Sequence, residues 1–301
     1  MKRFVRYQNG NYTVTLDTKT GTKIRENDLD FFEASTVESM DIKITNYCDM
    51  GCPMCHENST TDGKHADILG PSFLDKLHPY TELAIGGGNP LSHPDLYEFL
   101  QRCKEREFIP SMTVNQVHFE KNYDFIKKLI DEQLIYGLGI SLNKPTESFI
   151  KKVQTIPNAV IHIINGLVTL EQLYDMKDKG LKILILGYKV FRRGEALYNQ
   201  EHTLIDIRKM LLYNMLEEII DKEWFKVVSF DNLAIEQLEP QRLMDEDEWK
   251  EFYMGDDGIG NSFTSASMFV DMVERKYAKN SCSTEHFDLL PTIEEMYKSL
   301  K

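Results

Sequence analysis

The sequence predicts an α/β fold in which strands and helices alternate. Three observations predict it. Six short β-rich runs recur between Asp41 and Gly187, the last five are each followed by a stretch with helical apolar periodicity, and turn residues stand where one gives way to the other. The 301 residues, 42% hydrophobic and 28% charged, suffice for a sizeable core, while 17 glycines and 10 prolines exclude a fibrous or low-complexity chain.

Residues 1–36 alternate polar and apolar side chains around Asn9-Gly10 and Thr20-Gly21, two hairpin signals, and read as a small β extension. Residues 37–222 carry the βα rhythm. Its strands are expected at Asp41–Asn46, Glu82–Gly86, Ile109–Asn115, Gly137–Leu142, Ala159–Ile164 and Lys182–Gly187. Helices are expected at Asp95–Lys104, Tyr123–Glu132, Glu147–Val153, Leu170–Lys179 and Thr203–Lys222, with Thr146 as the cap of the third. Such a series builds either a parallel barrel, full or partial, or a doubly wound sheet, and periodicity leaves both open. In residues 223–301 the rhythm breaks. FKVVSFDNLAIEQLEP reads as strand, turn and short helix, followed by an acidic helix at Asp245–Phe252, a turn in GDDGIGNS, a strand at Ala266–Val273 and a helix from Thr292. This last region is expected to form a cap.

Charge excludes some partners. Lys and Arg number 35 against 48 Asp and Glu, and the net of −13 opposes binding of a large nucleic acid. The basic N-terminal residues are not followed by an apolar run of roughly 7–15 residues, and no run approaches the roughly 18 of a membrane span. A cytoplasmic protein without membrane association is expected, and in a reducing compartment clustered cysteines suggest metal or redox chemistry.

Of five cysteines, Cys48, Cys52 and Cys55 fall in the single segment ITNYCDMGCPMCHENS, just beyond the first strand of the βα series. That edge is where βα proteins place chemistry, on loops held by a rigid sheet. The spacing lacks the second cysteine or histidine pair of a structural zinc site. A zinc loop that recruits His56 as fourth ligand remains the alternative. Iron–sulfur clusters are normally held by four thiolates, so three would leave one iron open to a small molecule.

A C-x₃-C-x₂-C loop after the first strand resembles the radical S-adenosylmethionine superfamily. The second strand runs into Gly86-Gly87-Gly88-Asn89-Pro90 and then His93-Pro94-Asp95, similar to that family's Gly-Gly-Glu-Pro motif. Asn89 replaces the usual Glu, so it can accept from an ammonium without charge assistance. The third strand ends Thr113-Val114-Asn115-Gln116, similar to a Thr-Asn-Gly strand end. The fourth carries Ser141 and Asn143, which share one face where family members contact the ribose. Asn165-Gly166 and Tyr188 stand where relatives approach the adenine, and Met54 replaces an aromatic residue. The resemblance, spanning residues 40–222, implies a partial (β/α)6 parallel barrel. It also implies a [4Fe-4S] cluster on Cys48, Cys52 and Cys55, and S-adenosylmethionine bound by Gly87, Gly88, Asn89, Asn115, Ser141, Asn143 and Tyr188. An electron donor such as flavodoxin or ferredoxin follows, as does hydrogen-atom abstraction from a substrate by a 5′-deoxyadenosyl radical.

The substrate is less legible. The His-Pro-Asp variant and a cap with Cys282 as its lone cysteine are similar to peptide-modifying relatives, so a peptide or protein residue is the expected substrate. A nucleotide or other small molecule is the alternative within the family, and a non-catalytic metal-binding protein is the alternative outside it. Asp231 is a candidate substrate contact or a helix cap, Cys282 a candidate hydrogen-atom donor, and Arg192 and Arg193 candidates for an anionic substrate group. Cys103 reads as core.

Overall fold

The structure, a computed structural model, describes residues 2–29, 31–252 and 266–301. The turn expected in GDDGIGNS lies outside them. Strands β1 (Phe4–Asn9), β2 (Tyr12–Asp17) and β3 (Lys23–Glu26) form an antiparallel sheet of their own. Both expected turns are there: Gly10 and Gly21 have φ of +59° and +79°, and a Cβ on Gly10 would meet the Glu33 carbonyl oxygen at 1.7 Å.

The βα series follows as β4 (Ser39–Thr45), β5 (Glu82–Gly87), α1 (Leu96–Glu105), β6 (Ile109–Asn115), α2 (Gln116–Lys121), α3 (Tyr123–Asp131), β7 (Gly137–Ser141), α4 (Glu147–Gln154), β8 (Ala159–Ile164), α5 (Leu170–Met176), β9 (Lys182–Leu186) and α6 (Arg193–Asp221). Residues 223–301 add β10 (Val227–Phe230), α7 (Asn232–Leu238), α8 (Glu246–Phe252), β11 (Ser267–Asp271), β12 (Lys276–Ala278), β13 (Phe287–Asp288) and α9 (Ile293–Ser299).

Among the described residues one large sheet runs β10-β9-β8-β7-β6-β5-β4-β11-β12-β13, with β4 to β10 parallel and in sequence order. The C-terminal region extends this sheet at both ends, β10 beside β9 and β11 parallel beside β4. Strand side chains alternate between a buried face and a half-buried one, as in β6, where Met112 and Val114 are buried and Thr113 and Asn115 are not. The buried face carries the core together with the apolar stripes of the helices, such as Leu96, Phe99, Leu100 and Cys103 of α1. Burial pushes the Cys103 thiol up to about 12, which accords with a core role.

Local signals fix the helix starts. Thr146 Oγ1 accepts the Phe149 N–H at 3.2 Å, and Thr169 and Gln172 make a reciprocal capping box on α5. Two elements depart from expectation. Helix α2 follows β6 directly, because Asn115 Oδ1 accepts the Val117 N–H at 2.9 Å. Helix α6 begins ten residues before Thr203, with non-helical angles at Glu201 (φ −125°) joining the early turns to the apolar periodic part.

The N-terminal sheet is locked to β4 by buried charge. Glu38, 1% exposed, accepts from Arg25 Nη2 at 3.0 Å and from the Tyr12 hydroxyl, with Lys23 Nζ at 3.4 Å. Burial pushes the Glu38 carboxyl up, but the hydrogen bonds and charge of Arg25, with Lys23 and Tyr12, hold it below its ordinary value.

Candidate active site

The cysteine loop leaves the C-terminal end of β4 and is held on every side. The Gly88 N–H donates to the Thr45 carbonyl and the Asn89 N–H to the Tyr47 carbonyl, both at 2.7 Å. Bonds this short need glycines: a Cβ on Gly88 would lie 2.1 Å from the Tyr47 carbonyl oxygen, and one on Gly87 (φ +111°) 2.4 Å from that of Thr45. A Cβ on Gly86, by contrast, would meet nothing within 4 Å. The glycine triplet thus seats β5 under the cysteine loop and leaves open space at Gly86.

Charge pairs fix the loop from the side. Lys43 Nζ, buried on β4, lies 2.8 Å from Glu57 Oε2 and 3.0 Å from Asp271 Oδ2 on β11, while His56 Nε2 lies 3.2 Å from Glu57 Oε1. Burial pushes the Glu57 carboxyl up, but His56 and Lys43 bring it down to about 2. His118, buried on α2, meets Asp49 Oδ1 through Nε2 at 2.6 Å. Arg192 Nη1 donates to the His56 and Glu57 carbonyls at 3.1 Å, and Arg193 Nη2 to the Ser59 carbonyl at 2.8 Å. Of these two candidates for an anionic substrate group, Arg192 Nη1 and Arg193 Nη2 clasp the cysteine loop.

Cys48, Cys52 and Cys55 are half-buried and unpaired. Among the described residues the group of three donors with all ligand atoms within 4.8 Å of one another is Cys48, Asp49 and His118, which the His118–Asp49 hydrogen bond draws together. The three sulfurs form no such close group, whereas a zinc at about 2.3 Å from each would require one. His56, engaged with Glu57, is not turned to the sulfurs as a fourth ligand. Burial raises the Cys48 and Cys52 thiols, the other cysteines add to the rise, and the Arg193 charge opposes it. Three spaced thiols beside a fixed cation suit an anionic multi-iron cluster.

The other candidate residues divide. Asn115 and Asn143, at the ends of β6 and β7, bond each other, and Ser141 lies in register with Asn115 on the same half-buried face. Asn89 is buried and its Oδ1 accepts the Leu91 N–H at 3.2 Å. Tyr188 is 2% exposed, and its hydroxyl donates to the Gly194 carbonyl at 2.8 Å, so it braces the turn that carries Arg192 and Arg193. Asp231 Oδ1 accepts from the Ala234 N–H, capping α7, and from the Gly187 N–H, both at 2.8 Å. Cys282 is exposed in the turn after β12, with Asn280 and Ser281 as its contacts. The structure therefore brings together the cysteines, the glycine triplet and the β6 and β7 ends, and leaves Cys282 apart.

Sequence reasoning assigned no site role to Gln116, His118 or Lys43. Gln116 is buried; its Oε1 accepts the Asn143 and Lys144 N–H groups at 2.9 Å each, and its Nε2 donates to the Lys144 carbonyl at 2.7 Å. His93 donates from Nε2 to the Ala66 carbonyl at 2.9 Å and accepts the Asp95 N–H at Nδ1 at 3.1 Å. These bonds assign the neutral tautomer, in line with a pKa lowered chiefly by burial. The His-Pro-Asp run is thus a strut under the loop that follows the cysteines.

Comparison with solved structures decides the fold. Streptococcus suis SuiB bound to S-adenosylmethionine superposes with a TM-score of 0.60 at 12% identity, over 96% of this chain and 85% of that one. The chain shares the fold of SuiB. SuiB bound to its precursor peptide SuiA matches the same fold with a TM-score of 0.55 at 13% identity, over 98% of this chain and 83% of the other. In sequence, a 7,8-dihydro-6-hydroxymethylpterin dimethyltransferase of Methanocaldococcus jannaschii is 28% identical over 105 residues, 32% of this chain. The match spans only 20% of that enzyme. No protein-family model matches the chain. The α/β fold with a large parallel sheet, expected from the sequence, is thus shared with SuiB. Among the described residues no helix is long and apolar enough to cross a membrane.

Proposed function

We propose that this chain is a radical S-adenosylmethionine enzyme acting on a peptide or protein residue. One observation carries the proposal: three unpaired, half-buried cysteines stand just beyond the C-terminal end of β4, on a loop seated against the glycine triplet of β5, in a fold shared with a protein that binds S-adenosylmethionine. Cys48, Cys52 and Cys55 would hold a [4Fe-4S] cluster. When bound and reduced, it supplies the electron that cleaves S-adenosylmethionine to methionine and a 5′-deoxyadenosyl radical, which takes a hydrogen atom from the substrate.

The chain's own residues position this chemistry. Gly86 would leave room for the cofactor, Gly87 and Gly88 hold β5 against the cysteine loop, and Asn89 shapes the turn. Asn115, Ser141 and Asn143 offer hydrogen-bonding groups at the neighbouring strand ends for a ribose, and Tyr188 stiffens the far wall. A partial barrel would leave the half-buried face of the large sheet as the place for substrate.

The SuiB–SuiA complex, matched over 98% of this chain, supports a peptide substrate. The pterin-modifying relative supports a second reading, a small heterocycle, over the stretch that it matches. A reducing cytoplasm and a flavodoxin- or ferredoxin-like donor accompany either reading. Anaerobic reconstitution tests the cluster, and about four irons and four sulfides per chain are expected. One zinc per chain, with no visible absorption band from iron–sulfur charge transfer, would sink the proposal.

A further inference from the structure

Beside the cysteine loop Asp49 meets His118, and Glu57 and Asp271 meet Lys43. Arg193 has no such partner. Its Nη2 donates to the Ser59 carbonyl at 2.8 Å, yet its Nε is buried and donates to nothing. Among the described residues no carboxylate stands within the 4.0 Å of an ion pair. An unmatched guanidinium with a buried free donor is costly unless an anion faces it.

The turn that carries Arg193 is over-determined. Arg192 sits at φ +51°, ψ −124°, a backbone state that non-glycine residues avoid, and its guanidinium holds the His56 and Glu57 carbonyls. The Tyr188 hydroxyl holds the Gly194 carbonyl, and a Cβ on Gly194 would lie 2.3 Å from the Lys189 carbonyl oxygen and 3.6 Å from that of Met54. The segment is therefore pressed against the cysteine loop, with Arg193 at its centre. The Arg193 charge acts on Cys48 and Cys52 together.

We propose that Arg193 is the fixed counter-charge of the cluster, donating its Nε–H to cluster sulfur and raising the reduction potential. The inference rests on the cluster reading above. Three thiolates leave an oxidised [4Fe-4S] cluster with net negative charge, and one-electron reduction adds another. A fixed cation stabilises the more negative state more, so it favours reduction. Arg193 is thus a positioning and tuning residue, not a catalytic one. The carboxylate of S-adenosylmethionine is the other anion that this guanidinium could face, and the test separates the two.

The test uses the full chain, reconstituted anaerobically as wild type, Arg193→Gln, Arg193→Lys and, as a charge control on the N-terminal sheet, Arg6→Gln. Iron and sulfide are counted, and midpoint potentials are read by dithionite titration with electron paramagnetic resonance, without S-adenosylmethionine. The Arg193→Gln potential is expected to move negative, Arg193→Lys to fall between it and wild type, and Arg6→Gln to match wild type. Should Arg193→Gln load no iron, the Arg193→Lys potential decides, and equality with wild type overturns the hydrogen bond. Equal potentials in wild type and Arg193→Gln overturn the inference while the cluster reading stands. Equal potentials with weakened S-adenosylmethionine binding assign Arg193 to the carboxylate instead. A wild-type chain without iron overturns both.

Discussion

The side-chain amides of Asn115 and Asn143 bond each other reciprocally across the ends of β6 and β7, at 3.0 and 3.1 Å. The pair is held from beneath by Gln116, whose Oε1 accepts both the Asn143 and Lys144 N–H groups. Two adjacent strand ends thereby present one rigid polar edge beside the glycine triplet. Gln116→Ala would leave two backbone donors unpaired, at about 1–3 kcal/mol each when buried. Urea denaturation should show a loss of roughly 2–3 kcal/mol, with weaker S-adenosylmethionine binding by calorimetry. A change below about 0.5 kcal/mol, the usual size at an indifferent surface site, would deny Gln116 this role.

Gly86 and Gly88 make a matched pair of tests. At Gly88 an added methyl would lie 2.1 Å from the Tyr47 carbonyl oxygen, so Gly88→Ala must push the cysteine loop away; a stability loss of about 1–3 kcal/mol and poor iron loading are expected. At Gly86 the same methyl meets no protein atom within 4 Å. Gly86→Ala should therefore melt like wild type and load iron, yet bind S-adenosylmethionine at least tenfold more weakly, about 1.4 kcal/mol. Unchanged affinity would mean that the space over Gly86 is not cofactor space.

Glu38 carries the acid sensitivity of the N-terminal sheet. Its folded-state pKa is depressed, so its contribution to stability is fully present above the unfolded carboxyl value and is lost as pH falls toward the folded one. Wild type should lose stability as pH drops below its ordinary value of 4.5. Glu38→Gln removes the buried carboxylate charge beside Arg25 and leaves Lys23 paired with Glu82, and it should cost about 3–5 kcal/mol at neutral pH. The same variant should show a shallower decline in acid when chemical denaturation is repeated across that range. An equally steep decline would place the acid response elsewhere.

The βα order, both hairpin turns and the cysteine edge were legible because each has a local cause: apolar period, glycine at positive φ, and strand followed by loop. The supports of the loop were not. Lys43 reads as an unremarkable strand residue until Asp271, more than two hundred residues later, is brought beside it by the pairing of β11 with β4. His118 and Gln116 gain their partners because α2 starts directly at the end of β6, which follows from one Asn115 cap and not from an apolar period. The glycine triplet was read for ligand approach, whereas Gly87 and Gly88 are required first by the backbone of Thr45 and Tyr47. Arg193 lay outside the expected helix, since the apolar rhythm of α6 starts only near Leu204.

The central claim is that three cysteines of one loop form the seat of a reductive cleavage. The most direct measurement incubates the anaerobically reconstituted chain with S-adenosylmethionine and dithionite and quantifies 5′-deoxyadenosine by chromatography. The account predicts dithionite-dependent 5′-deoxyadenosine from wild type, and none above background from Cys48→Ala, Cys52→Ala or Cys55→Ala. No 5′-deoxyadenosine from an iron-loaded wild type, or equal amounts from a cysteine variant, would contradict it.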